Sequence, residues 1–178
     1  MMPILLALAF IAIIFIIVFA GQPDEFTLSR SLKISAPPEQ IFPHVNDLHN
    51  WEAWSPWAKL DPNTKHEFAG AASGQGAVMS WAGNNQVGVG KMTITESRPG
   101  ESVRFRLDFE KPMTATNLAE FTFQPDGPQT VVTWAMSGKN NFMMKLFGLF
   151  VNCDKMVGCQ FEKGLANLKS VVESAAKN

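Results

Sequence analysis

Cysteine is scarce: the 178-residue chain has 2, which excludes a disulfide framework and a cysteine-rich zinc site. Excess basic charge is also missing. Lys+Arg number 15 against 16 Asp+Glu, a formal net charge of −1. Without a basic surface there is no reason to expect nucleic acid as a partner. The 3 histidines, His44, His49 and His66, lack metal-ligand spacing. His44 and His49 are not four apart, the spacing that aligns two ligands on one helix face, and neither joins a Cys or carboxylate motif. Cys153 and Cys159, if helical, lie roughly 240° apart around the axis and about 9 Å along it, too far to bridge or share an ion. The expectation is no metal and no cofactor. A protein partner is left unspecified.

Charge of either sign is absent from Met1 to Pro23, and residues 4–20 are wholly apolar. As a helix they span roughly 26 Å, close to the hydrocarbon thickness of a bilayer. A helix apolar on every side must be buried, and a small domain has no room to surround it. Residues 3–21 are therefore expected to cross the membrane once, with 1–23 forming anchor and linker and 24–178 one further domain. A cleaved signal peptide is the rival, with Val18-Phe19-Ala20 at the position of the cleavage site. Against it stand the missing basic n-region and the length of the apolar run. With Lys and Arg flanking neither end clearly, the side of the membrane is open.

Phe26, Leu28, Arg30, Leu32 and Ile34 alternate with Thr27, Ser29, Ser31 and Lys33, a period-two strand. Pro37-Pro38-Glu39 suits a first helical turn, and Pro43 keeps that helix short or kinks it. From His66 to Ser137 turn signals separate candidate strands at 65–70, 76–82, 87–97, 102–110, 115–124 and 129–137. The connections are short, so the strands form an antiparallel meander. After Asn140-Asn141 the apolar period becomes three and four, from Phe142 to Val172, which predicts a long amphipathic C-terminal helix. A one-faced sheet must bury that face, and only this helix is long enough to cover it.

Side-chain parity then assigns faces. Arg104, Arg106, Asp108 and Glu110 share a solvated face and pair across strands. Met79 and Trp81, Met92 and Ile94, Phe105 and Leu107, Phe121 and Phe123, and Val132, Trp134 and Met136 are expected to face the helix. Met156, Gln160, Phe161 and Leu165 are expected to face them from it. Gly88-Val-Gly-Lys91 is no phosphate loop, because the spacing is wrong and no helix follows. Glycine here marks a bend or bulge.

This order of elements, with Ile34-Ser-Ala-Pro-Pro-Glu-Gln-Ile-Phe42, Asn46-Asp47 through Trp54-Ser-Pro-Trp57, Gly88-Val-Gly-Lys-Met-Thr-Ile-Thr95, Thr130-Val-Val-Thr-Trp134 and Phe161-Glu-Lys-Gly-Leu-Ala-Asn-Leu-Lys169, resembles the SRPBCC superfamily. Those are the START and birch-pollen-allergen-like helix-grip proteins, and within them the chain resembles the polyketide cyclase/dehydrase-type branch. The resemblance covers roughly residues 26–175. It implies an α+β helix-grip fold, a curved antiparallel sheet around the C-terminal helix, with an apolar cavity between the inward residues named above. Trp51, Trp54 and Trp57 then either cap the cavity mouth, meet lipid headgroups or pack beneath the connection; Trp54 and Trp57 are the candidates for the mouth. Gly158 and Gly164 are expected to leave room along the helix.

The resemblance does not imply one chemistry. Ser55 has no nucleophile-elbow motif around it. His44, Asp47, His49 and Glu52 offer acid–base groups if one points inward, and otherwise form a solvated helix end. The leading expectation is a membrane-anchored binder of an apolar or amphipathic, lipid- or polyketide-like molecule. The alternatives are a cyclase- or dehydratase-like enzyme using the same cavity, and an interaction module whose cavity is filled by its own side chains.

Overall fold

The computed structural model describes residues 18–140 and 153–175, together with residues 13, 142, 145 and 146. Most of the expected membrane segment, and most of the helical stretch expected between Phe142 and Asn152, lie outside the described residues. Among the described residues no helix is long and apolar enough to cross a membrane.

Seven strands form one antiparallel sheet: β1 Glu25–Ile34, β2 Lys65–Gly70, β3 Ala77–Ala82, β4 Val89–Arg98, β5 Ser102–Lys111, β6 Ala115–Asp126 and β7 Gln129–Lys139. Their order is β1-β7-β6-β5-β4-β3-β2. The six strands expected between His66 and Ser137 are all present and join their sequence neighbours, as short turns require. The one long-range pairing joins the first strand to the last, from Glu25↔Lys139 to Ile34↔Thr130. β4 carries register shifts at Val89/Gly90 and Ile94/Glu96. The first is the bulge that glycine signalled. A Cβ at Gly90 would lie 2.7 Å from the Trp81 ring and 2.6 Å from the Asp108 carbonyl oxygen, so only glycine lets that indole lie across the strand.

Alternation places Met92, Ile94, Val103, Phe105, Ala119, Phe121, Phe123, Val132 and Trp134 on the buried, concave face. The convex face carries the charges. Arg104 donates to Glu96 at 2.8 Å and to Glu120 at 2.7 Å, linking β4, β5 and β6, while Arg106 meets Asp108 within its own strand at 3.0 Å. These pairs are exposed and contribute little to stability, but they mark the solvated side.

Among the described residues three helices cover the concave face: α1 Pro38–Asn46, α2 Trp51–Trp54 and α3 Cys153–Ala175, with a 3-10 turn at Leu48–Asn50 before α2. Pro38 opens α1 and Pro43 sits inside it, so it ends within three turns. The covering is uneven. The C-terminal half of α3, through Leu165, Leu168 and Val172, joins Ile34, Ile41, Val45, Phe121, Phe123 and Val132 in a filled core. Arg30 of β1 clamps the N-terminal half from the side, reaching Asp154 at 3.3 Å and Glu162 at 2.8 Å.

Candidate functional site

Beneath the N-terminal half of α3 the sheet is not filled. A cavity of about 1020 Å³ lies there. Its floor follows the register of the sheet. Phe26 pairs with Gly138, Gly138 with Asn117, Asn117 with Leu107, Leu107 with Met92, Met92 with Met79 and Met79 with Phe68. This row crosses all seven strands, and every side chain in it lines the cavity. The next row, Leu28, Met136, Ala119 and Phe105, lines it too. Met156, Val157 and Phe161 of α3 face these rows, and Leu48, Trp51 and Trp57 close the side toward α2. Methionine and aromatic side chains dominate, an adaptable apolar wall. The lining His49, Glu52, His66, Lys111 and Asp154 are exposed and so mark where the cavity meets solvent. Met156 stands there as well, 53% exposed.

Of the residues expected at the cavity, Met79, Trp81, Met92, Phe105, Leu107, Trp134, Met136, Met156 and Phe161 are on its wall, with Trp57 beside the helical connection. Five others are not. Ile94, Phe121, Phe123 and Leu165 have the expected facing but lie in the filled half of the core. Gln160 is half-buried, off the lining. Parity assigns a face and is silent on position along the strand, and the helix covers one half of that face more closely than the other.

Trp54 is a second correction. Rather than capping a mouth it is 0% exposed, its ring 5.8 Å from both Phe121 and Trp134 and its indole N–H donating to the His44 carbonyl at 2.9 Å. The helix glycines are a third. A Cβ at Gly158 would meet the Arg30 guanidinium at 2.1 Å, and one at Gly164 the Trp134 ring at 2.8 Å. The room they leave is taken by those side chains. Leu48, Ala119 and Asn117 were missed by the sequence reading. Leu48 continues the helical spacing of Ile41 and Val45 and reads as helix packing rather than as cavity, and alanine and asparagine carry little weight in a hydrophobic pattern.

No group of three or more potential metal ligands occurs among the described residues. Of the acid–base candidates, His49 and Glu52 line the cavity and His44 and Asp47 do not. Asp47 caps the 3-10 turn, accepting from the His49 backbone N–H at 3.0 Å, and its carboxylate meets the His49 imidazole Nδ1 at 2.9 Å. That ring stacks on Phe68 with centroids 4.0 Å apart. His44 is half-buried, and burial pushes its pKa below the ordinary 6.5. The unfolded chain therefore binds this proton at a higher pH than the folded one. Between 6.5 and the depressed folded value, stability is expected to fall as pH falls. Urea unfolding from pH 7 to pH 5 should show that slope, and His44→Asn should flatten it. An unchanged slope would place the titration elsewhere.

None of the curated proteins matches the chain. Among solved structures, protein CV1439 from Chromobacterium violaceum is similar at 17% identity, with 85% of this chain and 99% of that one covered and a TM-score of 0.59. The Aha1 dimer from Colwellia psychrerythraea is similar at 18%, covering 83% and 96%, with a TM-score of 0.55. Ara h 8.0201 is similar at 10%, covering 84% and 99%, with a TM-score of 0.59. At such identities these likenesses speak for the helix-grip fold. The family profile described as polyketide cyclase / dehydrase and lipid transport matches residues 25–173, from the first strand through most of the last helix. The chain is a member of the polyketide cyclase / dehydrase and lipid transport family, within the SRPBCC superfamily.

Proposed function

We propose that the protein is a membrane-anchored binding protein for an apolar or amphipathic small molecule, lipid- or polyketide-like, held between the sheet and the N-terminal half of α3. The observation that carries the reading is the apolar cavity of about 1020 Å³, large enough for a molecule of lipid size. Affinity arises from burying apolar ligand area, at roughly 25 cal/mol per Å² before the costs of association. Its open volume weighs against an interaction module closed by its own side chains.

Residues 1–23 serve as anchor and linker to the domain of residues 24–178, on the ground of the charge-free run from Met1 to Pro23. Gln22 and Pro23 are themselves part of the cavity lining. The anchored end of the domain thus lies beside the cavity, where a membrane-dissolved molecule has the shortest path in. A cyclase- or dehydratase-like enzyme is the second reading. What favours it is the His49–Asp47 pair, whose imidazole is part of the lining.

Native mass spectrometry of the full-length protein, gently extracted from membranes, tests the binding reading. The expected result is a co-purifying apolar or amphipathic molecule, with the protein resisting carbonate extraction. A protein that carries no such molecule and takes up none from added fatty-acid analogues would overturn it. Recovery of a chain beginning at Gly21 would overturn the anchor alone.

A further inference from the structure

Buried polar groups in the filled half of the core are satisfied. The Thr130 hydroxyl donates to the Ala36 carbonyl at 2.7 Å, and the Trp54 indole N–H to the His44 carbonyl at 2.9 Å. On the cavity lining the Trp51 indole N–H is answered by the Val45 carbonyl at 2.9 Å, but other groups there are not. The buried side-chain atoms without a partner among the described residues are Thr64 Oγ1, Asn117 Oδ1 and Trp134 Nε1, and all three residues belong to the cavity lining. A buried acceptor or donor without a partner costs on the order of 1–3 kcal/mol, so orphaned groups gathered on one cavity point to its contents.

Asn117 is the most telling of the three. It is 5% exposed and is the one polar side chain in the row from Phe26 to Phe68 that floors the cavity. The fold makes space for its amide. A Cβ on the facing Gly138 would stand 2.2 Å from Asn117 Oδ1 and 2.8 Å from the Phe26 ring, so glycine there lets the amide lie over the neighbouring strand. Its nitrogen has only a long contact to the Met136 sulfur, 3.9 Å. Trp134 is a different case, because its ring is stacked on Phe161 at 4.0 Å and on Phe121 at 4.8 Å and so is held within the aromatic core. Thr64 is only half-buried.

We propose that the Asn117 amide is the polar recognition group of this cavity, selecting amphiphiles that carry a neutral hydroxyl on the end that enters. The inference rests on the cavity-binding reading above. The orphaned atom is an amide oxygen, which accepts and cannot donate. A hydroxyl donates to it and can accept from the amide nitrogen in return. A carboxylate would set negative charge against that oxygen. An ammonium would need a carboxylate beside it, whereas the strand partners of Asn117 are Leu107 and Gly138 and its neighbours on the same face are Ala115 and Ala119. An ether of the same length has no donor.

The test uses the full chain in lipid nanodiscs and two probes, a terminally brominated long-chain alcohol and its methyl ether. Bromine in the cavity quenches the lining tryptophans, and affinities are referred to measured free probe. The expected result is roughly tenfold tighter binding of the alcohol, the scale of one buried hydrogen bond. Asn117→Leu should bring the ratio near one by weakening the alcohol while the ether still binds. Where Asn117→Leu does not fold, the shorter Asn117→Ala withdraws the amide without putting a hydroxyl in its place and is read the same way. Equal affinities in the wild type, or a ratio that survives removal of the amide, would overturn the role of Asn117 and leave the cavity reading standing. Failure of both probes to quench the wild type would overturn the cavity reading itself.

Discussion

Replacing Ala119 with phenylalanine is expected to weaken binding of an apolar probe about a hundredfold while changing unfolding free energy by less than about 1 kcal/mol. Ala119 sits on the cavity floor between Phe105 and Met136, where a new ring projects into open volume. It would displace on the order of 100 Å² of ligand contact, about 2.5 kcal/mol at roughly 25 cal/mol per Å². A filled core responds in the opposite way, since an added ring there overpacks and costs about 1–3 kcal/mol. Probe titration and urea unfolding on the same protein separate the two. Unchanged affinity would place the ligand elsewhere, and a strongly destabilised variant would mean the space is already occupied.

Trp54→Ala should lower stability by about 3–5 kcal/mol, the range for truncating a buried tryptophan or phenylalanine. The indole is fully buried, lies 4.6 Å from the Trp51 ring, and its loss also leaves the His44 carbonyl without its donor. The Trp54 backbone carbonyl also accepts from Asn167 of α3 at 3.1 Å, which ties α2 to α3 at this residue. Because Trp54 is not on the cavity wall, probe affinity of the variant that remains folded should stay within about threefold of the parent. Loss of affinity at unchanged stability would instead restore Trp54 to the mouth of the cavity.

The same contrast governs Leu165. Its place in the apolar stripe of α3 predicts a position on the cavity wall. It lies in the filled core, so Leu165→Trp belongs with the overpacking substitutions. Trp134 and Phe161 are on the wall and also in the core cluster, their rings stacked within 5° of parallel. They form the seam between the empty and filled halves of the concave face.

Sequence periodicity by itself determined the strands, the last helix and the inward face of each strand. Those depend on local geometry: side chains alternate along a strand whatever packs above it, and short turns pair sequence neighbours. The charged stripe of β5 was legible for the same reason. The clustering of Trp51, Trp54 and Trp57 was visible too, but their division between core and cavity was not. Only the tertiary structure decided where along the inward face the space lies. Phe105 and Phe121 have the same parity, the same chemistry and adjacent strands. One lines the cavity and the other does not, because α1, α2 and the C-terminal half of α3 converge over Phe121 while the approach of the N-terminal half leaves the other end open. Which polar group is left without a partner was decided at that level as well. Asn117 reads in sequence as an ordinary strand asparagine, and it becomes a recognition group only where Gly138 on the next strand makes room for it and no neighbour among the described residues answers its oxygen.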